Sequence, residues 1–406
     1  MAGEYGARTS GTGGRLFADP QPGPDETTFQ VDNTSDQYYN SAYYKLHQAL
    51  LQPVPPPRVD PPRMQLADVL PAEMITQIQA AGRITFHAVG DTGAARTGSI
   101  PNEGGVADAM ARDVAAGGPD TPAFFFHLGD VIYNFGEAQY YYDQFYEPFR
   151  GYDRPIFAVP GNHDGFPESA AVTTLAAFLT NFCAVQPGPS PNAGGLVRST
   201  MTEPGVYFTL DAPFVSIIGL YTNVLEGPGV ISTQGGTYSS PMNDDQLTFL
   251  TSELTRLKSD PDRVANRRAV VIACHHPPAS ADASHGGSTG LSADIDHACQ
   301  EAGIWPDAVL SGHAHLYQRF TRSTGTVEIP YVVSGSGGYG ITPPRSAFPS
   351  GPAGGYTISG GPFPDYGYLV VTIDVTARPV MTISFRPTSG TADQDSVTVD
   401  LTRHSI

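Results

Sequence analysis

Oxygen and imidazole donors recur where the short apolar runs of this chain end. The runs end at Gly90-Asp91-Thr92-Gly93, Gly129-Asp130-Val131-Ile132-Tyr133, Gly161-Asn162-His163-Asp164, His275-His276-Pro277 and Gly312-His313-Ala314-His315. Glycine beside these donors lets the backbone turn close to a small charged object. The pattern predicts a metal cluster at the carboxyl edge of a sheet, where the ends of parallel strands meet.

The donor types restrict the metals and the reaction. Two aspartates, one tyrosine, one asparagine and three histidines make seven donors, too many for one ordinary ion and suited to two ions that share a carboxylate. Oxygen and imidazole with almost no thiolate favour iron, manganese or zinc and admit magnesium. Two adjacent cations polarise a phosphoryl group and generate hydroxide near neutral pH, so hydrolysis of phosphate esters is the reaction that benefits most.

Composition indicates a globular chain with many short strands and loops. Of 406 residues, 40% are hydrophobic and 15% charged, and there are 45 glycines and 37 prolines. A net charge of -18 argues against an electrostatic grip on nucleic acid or an anionic membrane. A small phosphorylated substrate would be attracted locally, by bound cations.

Cysteine usage and targeting signals leave the compartment open. Cys183 and Cys299 could pair, but three cysteines form no disulfide framework, and buried free thiols are favoured. Cys274 ends a strand and is interpreted as a small buried side chain rather than a ligand. With no signal peptide or membrane-length apolar run, we expect a soluble protein, cytoplasmic or secreted after removal of an upstream signal. Its oligomeric state is not predicted.

The first 82 residues are interpreted as an N-terminal arm rich in proline and glycine. Residues 1–35 are polar and without periodicity, which predicts a flexible segment. A helix is predicted over Tyr38 to Leu51, a stiff extended spacer over Pro53 to Pro62, and a short helix over Pro71 to Ala81. Residues 83–406 are then the catalytic domain.

From Arg83 onward, strands alternate with helices, which implies parallel pairing. Helices are predicted over Val106 to Ala116, Ala138 to Phe149, Leu175 to Phe182 and after the Asn243-Asp244-Asp245 cap. A hairpin is predicted from Val206 to Leu210 and Phe214 to Tyr221. Later segments predict antiparallel strands over Val327 to Ser334, Tyr368 to Val375, Met381 to Arg386 and Ser396 to Leu401. The fold class is therefore α/β (α+β).

In their order and composition, the donor motifs resemble those of the calcineurin-like metallophosphoesterases, and more closely the purple acid phosphatase branch, over about residues 83–390. Gly93 stands where the wider superfamily usually has a metal-binding histidine, and Tyr133 stands where the branch has its iron-binding tyrosinate. The resemblance implies a four-layer α/β/β/α sandwich of two mixed β-sheets flanked by helices, with the metals at the carboxyl edge. It also implies that the chain is an acid phosphatase-like hydrolase of phosphate monoesters.

Carried over by position, the resemblance implies a set of ligands for each of two metal ions, one Fe(III) and the other divalent Fe, Zn or Mn. The Fe(III) ligands would be Asp91, Tyr133 and His315, the divalent-site ligands Asn162, His275 and His313, and the bridging ligand Asp130. His275 is chosen over His276 because the family has a His-x-Pro spacing.

Three further residues are candidates for catalysis. His163 resembles the family's substrate-contacting histidine, with Asp164 available to orient it, and His285 stands near the position of another phosphate-contacting histidine. A hydroxide bound to the metals would attack phosphorus while these histidines assist the leaving group. Two alternatives stay open: a phosphodiesterase of cyclic nucleotides, nucleotides or lipid head groups, and a non-catalytic metal-binding protein.

Other conspicuous residues receive structural interpretations. His47, His87, His127, His297 and His404 are assigned to structure, and Arg319 suits an ion pair as well as it suits a phosphate contact. The segment 335–340 spells a dinucleotide-binding fingerprint, but Pro343 and Pro344 forbid the helix that such a site requires. We interpret it as a glycine-rich loop near the active site.

Overall fold

The computed structural model describes residues 52–95, 98–133, 135–165, 173–196, 198–222, 229–234, 243–346, 354–390 and 392–406. The predicted flexible segment 1–35 and the predicted helix over Tyr38 to Leu51 lie outside the described residues. Among the described residues, no helix is long and apolar enough to cross a membrane.

The described strands form two mixed sheets. In spatial order, the eight-stranded sheet contains β1 (Arg63–Gln65), β5 (Phe208–Ala212), β6 (Val215–Leu220), β7 (Ala269–Cys274), β8 (Ala308–Ser311), β10 (Glu328–Ser334), β9 (Tyr317–Ser323) and β11 (Tyr356–Phe363). The six-stranded sheet contains β14 (Asp395–Asp400), β13 (Val380–Pro387), β12 (Gly367–Asp374), β2 (Arg83–Val89), β3 (Phe125–His127) and β4 (Ile156–Ala158).

The helices lie between strands along the chain. They are α1 (Ala72–Ala81), α2 (Ile100–Ala116), α3 (Asn162–Gly165), α4 (Ala176–Phe182), α5 (Asp245–Lys258), α6 (Pro261–Val264) and α7 (Thr289–Ala302). Short 3-10 helices cover Leu66–Asp68, Ala138–Tyr140 and Pro148–Gly151, and a π-helical turn covers Tyr142–Tyr146.

Successive side chains of a strand point to opposite faces of its sheet, so a strand that is apolar throughout packs against a layer on each side. In β7, Val271 and Ala273 belong to one apolar cluster, while Val270 and Ile272 belong to another. The first of these clusters also contains residues of both sheets and fills the space between them, whereas the second contains residues of α2, α5 and α7. The molecule is therefore the α/β/β/α sandwich that the resemblance implies.

Most predicted elements are present, with two differences of form. β10, predicted as an antiparallel strand, is antiparallel to β9 but parallel to β8. The hairpin forms as β5 and β6, and the leucine face of α5 is buried. The segment from Ala138 to Phe149, predicted as one helix, is broken into 3-10, π and 3-10 turns. Tyr141, Phe145 and Phe149 are all buried there, so the packing of large rings overrides the regular helical period.

The sequence did not predict the strands β1, β9 and β11 or the helices α3, α6 and α7. β1 has three residues, too few to show a period, and β11 contains Gly360, Gly361 and Pro362, which normally signal a loop but are tolerated at the edge of a sheet. The residues that cap α7, Ser288 at its N-terminus and Gly303 at its C-terminus, are types that signal helix ends and could have predicted this helix. Because β1 pairs with β5, part of the predicted arm contributes a strand to the eight-stranded sheet.

Candidate metal centre

Parallel pairing brings the donor motifs to one edge. Val89 of β2 pairs with His127 of β3, which pairs with Ala158 of β4, so Asp91, Asp130 and Asn162 follow strands that end in register. In the other sheet, β7 and β8 are parallel neighbours and lead to His275 and His313. The two sheets thus present their donors to each other across one edge of the sandwich.

Asp91, Tyr133 and His315 form a first cluster of donor atoms. The Tyr133 hydroxyl lies 3.1 Å from Asp91 Oδ1 and 3.3 Å from His315 Nε2, and the Asp91 and His315 atoms are 3.4 Å apart. Donors bound to one ion at about 2.0–2.2 Å and roughly at right or tetrahedral angles lie about 3.0–3.5 Å from one another. The spacing of the three atoms therefore fits one cation.

Asn162, His275 and His313 form a second cluster beside the first. Asn162 Oδ1 lies 3.0 Å from both His275 Nε2 and His313 Nδ1, and the two ring nitrogens are 3.2 Å apart. The carboxylate of Asp130 joins them, with Oδ2 3.3 Å from His275 Nε2. Donor atoms of Asp130, His275 and His313 all lie within 4.8 Å of one another, which again fits one cation.

Asp130 also lies beside the first cluster. Burial raises the pKa of the Tyr133 hydroxyl, and the nearby charge of Asp130 raises it further, while Asp130 Oδ1 accepts a hydrogen bond of 2.9 Å from the His163 backbone N–H. A carboxylate beside both clusters lies where a bridging ligand is needed.

Burial and charge at this edge favour a bound cation. Asp91 and Asp130 are almost fully buried carboxylates. Burial, together with these carboxylates, raises the pKa of Tyr133 well above its ordinary value, so a tyrosinate needs a cation beside it. Burial alone would lower the pKa of His275, but the charges of Asp130 and Asp91 outweigh it and raise the pKa to about 9. A metal ion would take the place of that proton.

The backbone is strained at three of the candidate ligands. Asp91, Asp130 and His313 have φ angles of 60°, 54° and 68°, in the left-handed region that costs residues with a Cβ about 1–2 kcal/mol. Hydrogen bonds hold two of these turns: Asp91 N–H donates to Gly129 O at 2.9 Å, and His313 N–H donates to Asp91 Oδ2 at 2.7 Å. Such strain is typical of residues fixed for function.

Gly93 explains how Tyr133 fits. A Cβ at residue 93 would lie 2.6 Å from Gln144 Oε1, 2.7 Å from Val131 O and 3.0 Å from Tyr133 Cδ2. Gln144 is fixed in turn, because its Oε1 accepts from Tyr133 N–H at 2.9 Å and its Nε2 donates to Tyr133 O at 2.8 Å. The Tyr133 ring therefore occupies space that a side chain at residue 93, histidine included, would need.

Asp164 supports the loop that carries Asp130 and Tyr133. Its carboxylate accepts hydrogen bonds from the backbone N–H groups of Val131, Ile132 and Gly161 at 2.8–3.1 Å. Its contacts with these three backbone donors join the second and third motifs. The sequence-based suggestion that Asp164 orients the His163 ring stays a prediction. We treat it as a positioning residue rather than as a catalytic one.

The two candidate catalytic histidines lie over the clusters. The His163 ring centroid is 4.4 Å from that of Tyr133. The His285 centroid is 4.8 Å from that of His313 and 4.9 Å from that of His315, so this ring spans both clusters. The structure thus brings all ten sequence-predicted site residues to one edge.

Two residues near the clusters were missed by the sequence analysis. Asp282 Oδ2 lies 2.8 Å from His285 Nδ1, and an acidic residue three positions before the histidine was the available signal. The Tyr339 ring stacks on Tyr133, with centroids 3.7 Å apart and planes within 9°. Tyr339 belongs to the loop 335–340, which borders the site as expected and leads into no helix.

The remaining conspicuous residues have structural contacts. His276 Nδ1 lies 2.9 Å from Thr222 Oγ1, and His127 Nε2 lies 2.9 Å from Thr92 Oγ1. Arg319 forms a bidentate ion pair with Asp395, at 2.7 and 3.0 Å, which decides its role in favour of structure. Cys183, Cys274 and Cys299 are buried free thiols, as expected.

Comparison with known proteins gives both family and fold. The sequence model of the calcineurin-like phosphoesterases matches residues 84–317. No curated protein matches the chain by sequence. GAP50, the anchor in the inner membrane complex of Plasmodium, is a similar solved structure, with a TM-score of 0.54, 14% identity and coverage of 78% of this chain and 89% of that one. The purple acid phosphatase PPD1 from yellow lupin seeds has a TM-score of 0.53 and 16% identity, and covers 79% of this chain and 54% of its own.

Proposed function

We propose that this chain, which belongs to the calcineurin-like phosphoesterase family, is a dinuclear metal-dependent phosphatase that hydrolyses phosphate monoesters. Membership of the family implies hydrolysis of phosphate esters. The observation that carries the finer proposal is the convergence of buried donors into two adjoining clusters, with the Asp130 carboxylate in the second cluster and beside Tyr133 of the first.

The charges of the clusters support Fe(III) in one and a divalent ion in the other. Asp91 and a tyrosinate at Tyr133 would give the first cluster two anionic hard donors, which suit a trivalent ion. The second cluster has the neutral donors Asn162, His275 and His313, so its anionic charge comes from the shared Asp130 and suits divalent Fe, Zn or Mn.

The reaction follows from the groups around this edge. When bound, the two cations supply stabilisation of charge on phosphoryl oxygens and a water that ionises near neutral pH. His163 and His285 lie above the clusters, where their rings can hydrogen-bond to the phosphoryl group and give a proton to the leaving oxygen. A monoester has one more ionisable oxygen than a diester, and two imidazoles beside two cations offer donors to it.

The test combines spectroscopy with turnover. Purified protein loaded with iron should bind two metals per chain and show a visible tyrosinate-to-iron(III) band that Tyr133→Phe abolishes. Tyr141→Phe is the matched control, because the Tyr141 hydroxyl is buried without a hydrogen-bond partner within the described residues, and this variant should keep the band.

Turnover decides the substrate class. An aryl phosphate should be hydrolysed faster than its bis-aryl diester. The reverse ratio in a colourless protein that binds two divalent ions would refute the monoesterase proposal in favour of a phosphodiesterase. Stoichiometric metal without turnover of any phosphate ester would favour a binding protein instead.

A further inference from the structure

The loop that carries His285 is fastened in place by its surroundings. Within this loop, between β7 and α7, the Ala281 N–H donates to Gln318 Oε1 at 2.7 Å, and Gln318 Nε2 donates to Ser280 Oγ at 2.9 Å. Arg345 Nε donates to the Asp282 carbonyl oxygen at 2.8 Å. The backbone around residues 280–282 is thus held independently of the Asp282 carboxylate.

The carboxylate of Asp282 is fully buried, and both of its oxygens contact His285. Oδ1 accepts a hydrogen bond of 2.8 Å from the His285 backbone N–H, and Oδ2 lies 2.8 Å from His285 Nδ1. Ser280 Oγ also donates to Oδ1, at 3.2 Å, so the contact that belongs to the imidazole alone is the one through Oδ2.

This contact determines the tautomer of His285. An ionised carboxylate can only accept hydrogen bonds, so the Nδ1 atom facing Asp282 carries the proton. Nε2 is then the ring nitrogen through which His285 can exchange a proton with a substrate: it accepts one when the ring is neutral and gives one when the ring is doubly protonated. Its ring is already held across both clusters, close to His313 and His315.

We propose that Asp282 is a positioning residue for phosphate-ester hydrolysis, which fixes the rotamer and tautomer of His285 so that Nε2 serves the phosphoryl group above the two metal positions. The proposal rests on the proposed function. Partners of this kind, which act through another side chain, typically contribute ten- to hundredfold to activity.

A double-mutant cycle tests the coupling. Asp282→Asn keeps an oxygen for the His285 backbone N–H but can turn an amide donor toward Nδ1, which favours the opposite tautomer. We expect Asp282→Asn to lower kcat/KM on aryl phosphates about ten- to hundredfold, chiefly through kcat, with metal content unchanged. In a His285→Ala background, the same substitution should have no further effect.

The matched control breaks another Asp–His contact. Asp113 Oδ2 lies 3.3 Å from the buried His87 Nε2, away from the metal ligands, so Asp113→Asn should leave kcat/KM within about twofold of wild type for properly folded protein. Equal losses from Asp282→Asn with and without His285 would overturn the proposal, because Asp282 would then support the loop and not the ring.

A readout without turnover separates this proposal from the proposed function. Nitrogen-15 NMR of the His285 ring, assigned by its loss in His285→Ala, should show the proton on Nδ1 in wild type and an increased Nε2-protonated fraction in Asp282→Asn. An unchanged tautomer would contradict the positioning role even if the enzyme is active. If wild type hydrolyses no phosphate ester while the tautomer shifts as expected, the proposed function fails and the Asp282–His285 coupling stands.

Discussion

Gly93→Ala should damage the metal centre through a single added methyl group. The new Cβ would lie 2.6 Å from Gln144 Oε1, 2.7 Å from Val131 O and 3.0 Å from Tyr133 Cδ2. These neighbours cannot easily move: the Val131 backbone is held by Asp164, and Gln144 holds Tyr133 through two hydrogen bonds.

The magnitude follows from the contacts. Overpacking of a tight interior costs about 1–3 kcal/mol, and weakening a Gln144 hydrogen bond adds about 1 kcal/mol. The expected loss of unfolding free energy is therefore about 2–4 kcal/mol, or roughly 3–5 °C in Tm for a chain of this size. Since a displacement of about 1 Å at a reacting group can cost a hundredfold in rate, we expect activity to fall at least about tenfold.

The assay is thermal unfolding of the metal-free protein together with turnover of an aryl phosphate by the loaded protein. Gly104→Ala is the matched control, because a Cβ there meets nothing within 4 Å on helix α2, and alanine should stabilise the helix by about 0.5–1 kcal/mol. If Gly93→Ala kept both the Tm and the activity of wild type, the steric account of Gly93 and Tyr133 would be wrong.

Two further predictions concern ion pairs away from the metals. Because Arg319 pairs with Asp395, Arg319→Met should lower the unfolding free energy by about 1–3 kcal/mol and leave KM for an aryl phosphate unchanged. A raised KM at unchanged stability would assign Arg319 to the substrate instead. Burial alone would raise the pKa of Asp307, but the Arg263 charge and the His404 hydrogen bond outweigh it and lower the pKa below 3.8. The ionised Asp307 therefore contributes stability above about pH 4, and this contribution is lost as the pH falls through the folded pKa. In denaturant titrations, the difference in unfolding free energy between wild type and Asp307→Asn should become smaller over that pH range. A difference that does not depend on pH would contradict this prediction.

The candidate metal site was readable in the sequence because its pattern depends on local order. Each donor motif stands at the end of a short apolar run, and most of the motifs contain glycine. A run such as Ala269–Cys274, in which every side chain is apolar, is typical of a strand that is buried on both faces. Strand ends of parallel pairs must meet at one edge, so the assignment of Asp91, Asp130 and His313 to a common site followed without coordinates.

Contacts between distant segments were decided by the tertiary structure alone. The pairing of β1 with β5 joins residues of the predicted arm to a strand far along the chain, and no local period announces a strand of three residues. The π turn at Tyr142–Tyr146 likewise results from rings packed by neighbours that the local sequence does not identify.

The same division holds inside the site. The sequence by itself determined which residue types stand at the strand ends, and therefore the kind of ion and reaction they suit. Only the tertiary structure showed that Asp164 holds backbone amides, that Gly93 makes room for Tyr133 and that Asp282 contacts the ring of His285. These roles depend on distances of a few ångströms between atoms. Such distances are set by how the two sheets and their loops pack, and the spacing of residues along the chain does not fix them by itself.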